Sequence, residues 1–286
     1  MKLNKYLVIY LSISFILCWG IGFIYVFFGE YVTPITGELT LTHPIAIIAL
    51  YSPSVAGLIV YFTLDGMAGI KGILSKVIPR KQDLFWFPLL FSVMVLFALS
   101  MHYGSVLFGF GVPKITLTVP EMIAKGLLNF FMEFGLIGGV FGWIGFLLPY
   151  FQKKFKSNIP SALLTGLIFG LWVVPGYLIS SLGTSTDFIF YVIQLMTFIL
   201  FMSYIFNATE GNLLIYLFTF WLAATGSQID LYYFNSKVQI LQIVFFSLSA
   251  LIAHMVYKKK IIKQSLQTFP EYVSEKIVER KSSKVS

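Results

Sequence analysis

Charged residues are scarce in this sequence. Only 11% of its 286 residues are Asp, Glu, Lys or Arg, whereas 58% are hydrophobic, and the mean hydropathy is +0.86. A soluble domain carries about 25% charged residues, and a soluble fold of this size could not cover so much apolar surface with so few charges. The scarcity of charge therefore excludes an ordinary soluble protein and predicts a polytopic membrane protein.

Cysteine is almost absent as well. Cys18 is the single cysteine, which excludes an internal disulfide bond, and its place inside the first apolar segment favours a packing role. The sequence also lacks the glycine-rich phosphate loop, the dinucleotide-binding glycine pattern, the HExxH zinc motif and the Gly-x-Ser-x-Gly elbow. These absences exclude the enzyme classes that those motifs identify.

Long apolar segments dominate what is present. A membrane-spanning helix needs about 20 largely apolar residues. Eight segments meet that requirement, at approximately residues 5–28, 44–64, 84–110, 120–149, 160–182, 187–208, 211–232 and 238–257. We therefore predict an all-α, polytopic membrane helix bundle with about eight transmembrane helices, forming a single domain over residues 1–257. Residues 258–286 are predicted to be a basic, partly disordered tail.

The distribution of Lys and Arg predicts the orientation of the bundle. If the N-terminus is inside, the inner segments hold most of the basic residues, whereas the outer loops hold only Lys114 and Lys237. Cytoplasmic loops are enriched in Lys and Arg, so both termini and the tail are predicted to be cytoplasmic. We expect the net charge of +8 to face the lipid bilayer surface and not nucleic acid.

Residues 65–83 connect the second and third apolar segments with an amphipathic pattern. Ile70, Ile73, Leu74 and Val77 recur at helical spacing beside several basic residues. The pattern predicts an amphipathic helix at the inner leaflet, with a solvated basic loop as the alternative.

Glycines are concentrated in the fourth apolar segment. Small residues allow helices to approach closely, so this segment is predicted to be central to the bundle. Gly166 and Gly170 form a small-xxx-small pair on the fifth segment, which we predict to pack against the fourth.

Three short motifs have a recognisable frame. Residues 139–149 read GVFGWIGFLLP, residues 169–175 read FGLWVVP, and Gly211-Asn212 is followed by Phe220 and Ala224. They resemble the motifs of the CPBP family, the CAAX prenyl endopeptidase-like (Abi-type) membrane proteases and bacteriocin self-immunity proteins. The similarity covers about residues 44–228, and its motifs lie within about 120–228. It implies a multi-pass protein of a bacterial plasma membrane.

The residues that perform chemistry in that family are missing here. In the family, glutamates and an arginine of the first motif and histidines of the other two form a site for a divalent metal such as zinc. The corresponding positions of this sequence hold Gly139, Val140, Ile144, Val173, Phe220 and Ala224. Apart from Ala224, whose place takes Asn or a small residue in the family, each replaces a functional side chain with one that cannot bind a metal or transfer a proton. We therefore expect a pseudoenzyme without a metal or other cofactor.

Few polar side chains lie within the apolar segments. Glu133 lies two helical turns before Val140 and so shares its face, while Lys125, His102 and the motif residue Trp172 are candidates for the same cavity. We predict that Glu133 pairs with His102 or Lys125, which reduces the cost of burying its charge. A ligand or partner site and a displaced catalytic acid are the alternatives. Four amides are expected to bond between helices: Asn129, Gln194, Asn207 and Gln228.

Four functions remain open at this point. The degenerate motifs favour a scaffold, regulator or immunity factor that binds a membrane or secreted protein. An apolar cavity in place of the metal site favours binding of a lipid or prenyl chain. A third function is that of an active intramembrane metallopeptidase with a rearranged site around Glu133 and His102. The fourth is that of a small transporter, which needs a polar pathway across the bundle.

Overall fold

The computed structural model describes residues 2–40, 42–132, 134–180, 182–262 and 265–273. The protein is 81% helical and has no β-strand in these ranges, which confirms the all-α prediction. The helices are α1 (Lys2–Thr36), α2 (Pro44–Leu74), α3 (Trp86–Leu107), α4 (Val119–Met132), α5 (Phe134–Gly142), α6 (Leu148–Phe155), α7 (Asn158–Trp172), α8 (Val174–Ile179), α9 (Leu182–Ser185), α10 (Phe188–Ala208), α11 (Leu213–Gln228) and α12 (Ser236–Lys258).

Six helical segments of the described chain are long and apolar enough to cross a membrane. They are Asn4–Thr36, Pro44–Val77, Lys81–Leu107, Gly135–Phe155, Phe188–Ala208 and Ser236–Lys258. Two further apolar helices, α7 and α11, are shorter. These segments are compatible with a multi-pass membrane protein, and each overlaps one of the eight apolar segments predicted from the sequence.

The predicted fourth span is divided differently in the structure. The segment of membrane-spanning length is Gly135–Phe155, and α4 forms a separate element before it. Within this segment, Trp143–Leu147 form a π-helical turn between α5 and α6. Hydropathy alone does not reveal such a turn, because its residues, WIGFL, are as apolar as those of α5 before it.

The segment from α5 to α6 lies at the centre of the bundle, as its glycines predict. A Cβ at Gly142 would lie 2.3 Å from the carbonyl oxygen of Pro53, so only glycine allows α2 and α5 to approach this closely. The fifth segment does contact the fourth, through Phe169, Trp172 and the ring of Trp143, but its glycine pair packs against α10. A Cβ at Gly166 would lie 2.5 Å from the Cα of Met196.

Helix α2 breaks at Asp65 and Gly66, where Gly66 has a φ of 58°. The chain then continues as helix to Leu74, which confirms the predicted helix in the connection. Ile73 is fully buried, whereas Met67 and Leu74 of the same helix are exposed. The helix therefore has one face in the core and one apolar edge outside it.

The C-terminal tail packs beneath the bundle. Phe269 is fully buried, and its ring contacts Tyr6, Tyr61 and Phe146 at centroid distances of 5.5, 5.7 and 5.1 Å. Its backbone N–H donates to the carbonyl of Pro149 at 3.1 Å. Over residues 265–273 the tail thus packs against the helices of the bundle. Residues 274–286 lie outside the described ranges.

A set of hydrogen bonds among Arg80, Asp83, Thr209 and Asn212, called the polar clamp, lies at the same end of the bundle. Asp83, only 1% exposed, accepts hydrogen bonds from the backbone and guanidinium of Arg80 and, at 2.9 Å, from the amide of Asn212. The Arg80 side chain also donates to the Thr209 carbonyl at 2.8 Å. The clamp joins the connection between α2 and α3 to the turn between α10 and α11.

Candidate functional site

The first motif lies in the protein interior. Val140 is 1% exposed, Ile144 is fully buried, and Gly139 is buried as well. The indole of Trp143 lies against Gly139, where an added Cβ would be only 2.8 Å from Trp143 Cδ1. An aromatic ring therefore occupies the space into which a side chain at position 139 would begin to extend.

Trp143 also connects the first motif to the second. Its ring stacks on Phe169 at a centroid distance of 5.1 Å and meets the edge of Trp172 at 5.6 Å. Tyr10 of α1 completes the cluster, 5.7 Å from Trp143. Such aromatic pairs contribute about 0.5–1.5 kcal/mol each beyond their buried area. At this place the two motifs supply packed rings.

The second motif lies where α7 ends. Helix α7 terminates at Trp172, and the short α8 begins at Val174, with Pro175 in its first turn. The Trp172 indole donates to the carbonyl of Ser14 at 3.1 Å, and the Trp172 carbonyl accepts from the indole of Trp19 at 3.2 Å. These bonds tie the end of α7 to α1 and fix the position of Val173.

The second and third motifs meet at a cavity of about 880 Å³, referred to below as the main cavity. Four predicted site residues line it, namely Trp172, Val173, Phe220 and Ala224. The structure thus brings together residues that are about 50 positions apart in the sequence. Gly139, Val140 and Ile144 are not among the described residues that line the cavity, although Gly135 of the same segment is.

The main cavity occupies one end of the bundle and reaches the surface. Its wall comes from the C-terminal parts of α1, α7 and α11 and from the N-terminal parts of α2, α10 and α12. The exposed residues Glu38 and Thr40 lie at its edge. Ligand pockets typically have volumes of roughly 300–1,000 Å³ and mostly apolar walls. The main cavity has the size and character of such a pocket.

Two glutamine oxygens stand out in this apolar wall. The Oε1 atoms of Gln194 and Gln242 are buried and have no hydrogen-bond partner among the described residues. The Gln242 side chain is only 2% exposed. The predicted hydrogen bond between helices is therefore not observed for the oxygen of Gln194. Asn207 does form its predicted bond between helices, because its amide donates to Asn158 at 2.9 Å. The sequence did not indicate Gln242 as a site residue, because a single amide near a helix start carries no distinguishing pattern.

The three histidines have structural hydrogen bonds elsewhere. His43 caps α2 by accepting from the Ile45 N–H at 3.2 Å, and His254 pairs with the Tyr204 hydroxyl at 2.8 Å. Nδ1 of His102 lies 2.7 Å from the carbonyl of Leu231. The described bond of His102 places it beside the connection between α11 and α12, and His102 is not among the described residues that line the main cavity.

Lys125 also lies apart from the main cavity. Its ammonium group forms an exposed ion pair with Asp230 at 3.3 Å. Glu133, the predicted partner of Lys125, lies outside the described residues. The prediction that Glu133 faces the cavity therefore also concerns a residue outside those ranges. Of the four polar candidates, only Trp172 is among the described lining residues.

The described residues offer no recognisable metal centre. Within those ranges, no group of three or more His, Cys, Asp or Glu side chains is close enough to hold a metal ion. A protein zinc site uses about three such ligands. The described motif positions Gly139, Val140, Ile144, Val173, Phe220 and Ala224 can bury apolar groups. The isolated amides of the cavity wall can form hydrogen bonds.

Comparison with known proteins gives no identification. No family model matches the sequence, and no curated protein matches it.

Proposed function

We propose that this protein is a catalytically inactive, CPBP-like membrane protein that binds the apolar chain of a lipid. The main cavity carries this proposal, because it lies where the second and third motifs meet and is lined by Val173, Phe220 and Ala224. In the family these motif positions lead to a metal site. Here they present apolar side chains, which favour hydrocarbon over a cation.

The proposal includes a topology. All eight apolar helical segments cross the membrane, with α7 and α11 as the two shorter spans, and both termini are cytoplasmic. The main cavity then opens toward the outer side, near Glu38 and Thr40, and the packed tail lies on the inner side. The excess of Lys and Arg in the inner segments supports this orientation. By family resemblance, the membrane is a bacterial plasma membrane.

The contacts of the other polar residues argue against the competing functions. His102 lies beside the Leu231 carbonyl and is not among the described residues that line the main cavity, so a peptidase site built around it would lie apart from the second and third motifs. The end of the bundle remote from the main cavity is filled by the rings of Tyr61, Phe146 and Phe269. This packing opposes a continuous polar pathway for transport. Lipid binding is also compatible with a scaffold or immunity role, in which the loaded protein binds a membrane or secreted partner.

Native mass spectrometry of the purified protein tests the proposal. Wild-type protein released gently from the membrane is expected to retain a lipid. Ala49 lines the main cavity, so Ala49→Phe should fill part of it and remove the retained lipid. The matched control is Ile48→Phe, since Ile48 is 55% exposed on the same helix. Retention that is equal in wild type and both variants would contradict the proposal, and so would wild-type protein free of lipid.

A further inference from the structure

The polar atoms in the main cavity restrict the head group of its ligand. Gln242 is one helical turn before Phe246 on α12, and Gln194 is one turn before Phe198 on α10. The rings of Phe198 and Phe246 meet at a centroid distance of 5.0 Å. The two glutamines therefore lie at matching levels on adjacent helices, one turn from the contact between the rings of Phe198 and Phe246.

The Tyr232 hydroxyl, which also lines the main cavity, is not a donor to the Gln242 amide. It donates its proton to the carbonyl of Ala223 at 3.2 Å. Because a phenol has a single proton, none remains for Oε1 of Gln242. That oxygen is an acceptor without a partner among the described residues.

The other unsatisfied group of the wall is of the same kind. Oε1 of Gln194 is also a buried acceptor without a partner among the described residues. Glu38 is the only charged residue in the described lining, and its carboxylate is again an acceptor. A buried acceptor without a partner is destabilising, and a ligand that donates a hydrogen bond relieves this. An anionic head group would instead have to pass Glu38 at the cavity edge and would offer no proton to either amide.

We propose that the main cavity selects a single-chain lipid with a hydroxyl head group, whose proton is donated to Gln242. The chain lies along the apolar wall, and the hydroxyl lies at the level of the two amides. This inference rests on the proposed lipid-binding function and adds to it a choice of head group, with long-chain alcohols preferred to fatty acids of the same length.

Binding of radiolabelled dodecanol to the full-length protein in nonionic detergent tests this choice. Unlabelled dodecanol, dodecane and dodecanoate serve as competitors that share one chain. For wild type we expect dodecanol to compete at concentrations about tenfold lower than the other two, as suits one hydrogen bond gained. Gln242→Met should reduce this preference several-fold while retaining chain binding.

Gln239→Met is the matched control. Gln239 is a fully buried glutamine on the same helix but is not among the described residues of the cavity wall, so its replacement should leave the preference unchanged. Equal competition by the three compounds, or a preference that Gln242→Met leaves intact, would overturn the head-group inference and leave the lipid proposal standing. If none of the three binds wild type more tightly than Ala49→Phe, the proposed function itself fails.

Discussion

The indole ring of Trp143 lies directly over Gly139, with Cδ1 only 2.8 Å from the point that a Cβ at position 139 would occupy. Trp143 is in turn fixed by Phe169 and Trp172. The first motif is therefore adapted to the absence of a side chain at position 139. Restoring one would disturb the packing that holds the first two motifs together.

Gly139→Ala is accordingly expected to destabilise the protein by about 1–3 kcal/mol, the usual cost of overpacking a core. The control is Gly20→Ala on α1, where an added Cβ meets no atom within 4 Å. There the substitution should be neutral or slightly stabilising, because Ala favours helix over Gly. Thermal unfolding in detergent measures both. Equal melting temperatures for the two variants would show that the Trp143 ring moves aside freely.

The docked tail supplies a second prediction. Phe269→Ala removes a fully buried ring that contacts Tyr6, Tyr61 and Phe146, and a large-to-small change of this kind costs about 3–5 kcal/mol. Ser265→Ala, at an exposed position of the same segment, is the control. Limited proteolysis of the tail should accelerate in the first variant only. Unchanged proteolysis and stability for Phe269→Ala would mean that the tail is not part of the folded unit.

The tail also carries a pH-dependent contact between Glu271 and Lys153. Burial raises the pKa of Glu271, but hydrogen bonds from Lys153, its own backbone and Thr268, together with the Lys153 charge, outweigh burial and hold this pKa below its ordinary value of 4.5. A lowered folded pKa means that the contact stabilises the fold above the ordinary pKa and ceases to do so as pH falls through the lowered value.

Wild type should therefore be more stable than Glu271→Gln near neutral pH, by less than about 1 kcal/mol because both partners are partly exposed. The difference should vanish once the pH has fallen through the lowered pKa of Glu271, and it should shrink in high salt. Melting temperatures of the two proteins across this pH range measure the effect. A difference that persists in acid would show that the Glu271 charge is not its source.

The topology is testable because the sequence has a single cysteine. Cys18 is buried, so unmodified protein should react poorly with a membrane-impermeant maleimide. Lys114→Cys and Lys154→Cys place a thiol at exposed positions on predicted opposite sides of the membrane. In intact cells, we expect labelling of the first variant alone, and labelling of both after the membrane is permeabilised. The reverse pattern in intact cells would invert the proposed orientation.

Sequence reasoning performed best where the signal is local. Hydropathy located the apolar segments, and the glycines of the fourth segment indicated its central place, since close helix approach at Gly142 requires a small residue. The motif frame also placed Val173, Phe220 and Ala224 together, and they do line one cavity. The first two features depend on composition and spacing that can be read along one segment, whereas the grouping of the three motif residues followed from the family resemblance.

Features that depend on distant partners were not predictable. The docking of Phe269 depends on rings from Tyr6, Tyr61 and Phe146, which are far apart in the sequence. The partner of His102 is a backbone carbonyl at Leu231, and a carbonyl has no side-chain identity that a pattern could reveal. The unsatisfied oxygen of Gln242 likewise follows from the bond that Tyr232 makes with Ala223. Each of these arises from tertiary contacts alone.

The central claim is that hydrocarbon, not a catalytic metal, occupies the interior at the motif positions. An experimental density map of the purified protein in lipid nanodiscs tests it most directly. We expect elongated density along Trp172, Val173 and Phe220, with one end at the level of Gln242. A compact peak coordinated by side chains of the Gly135–Phe155 segment, α7 and α11, or by Glu133, would contradict the account.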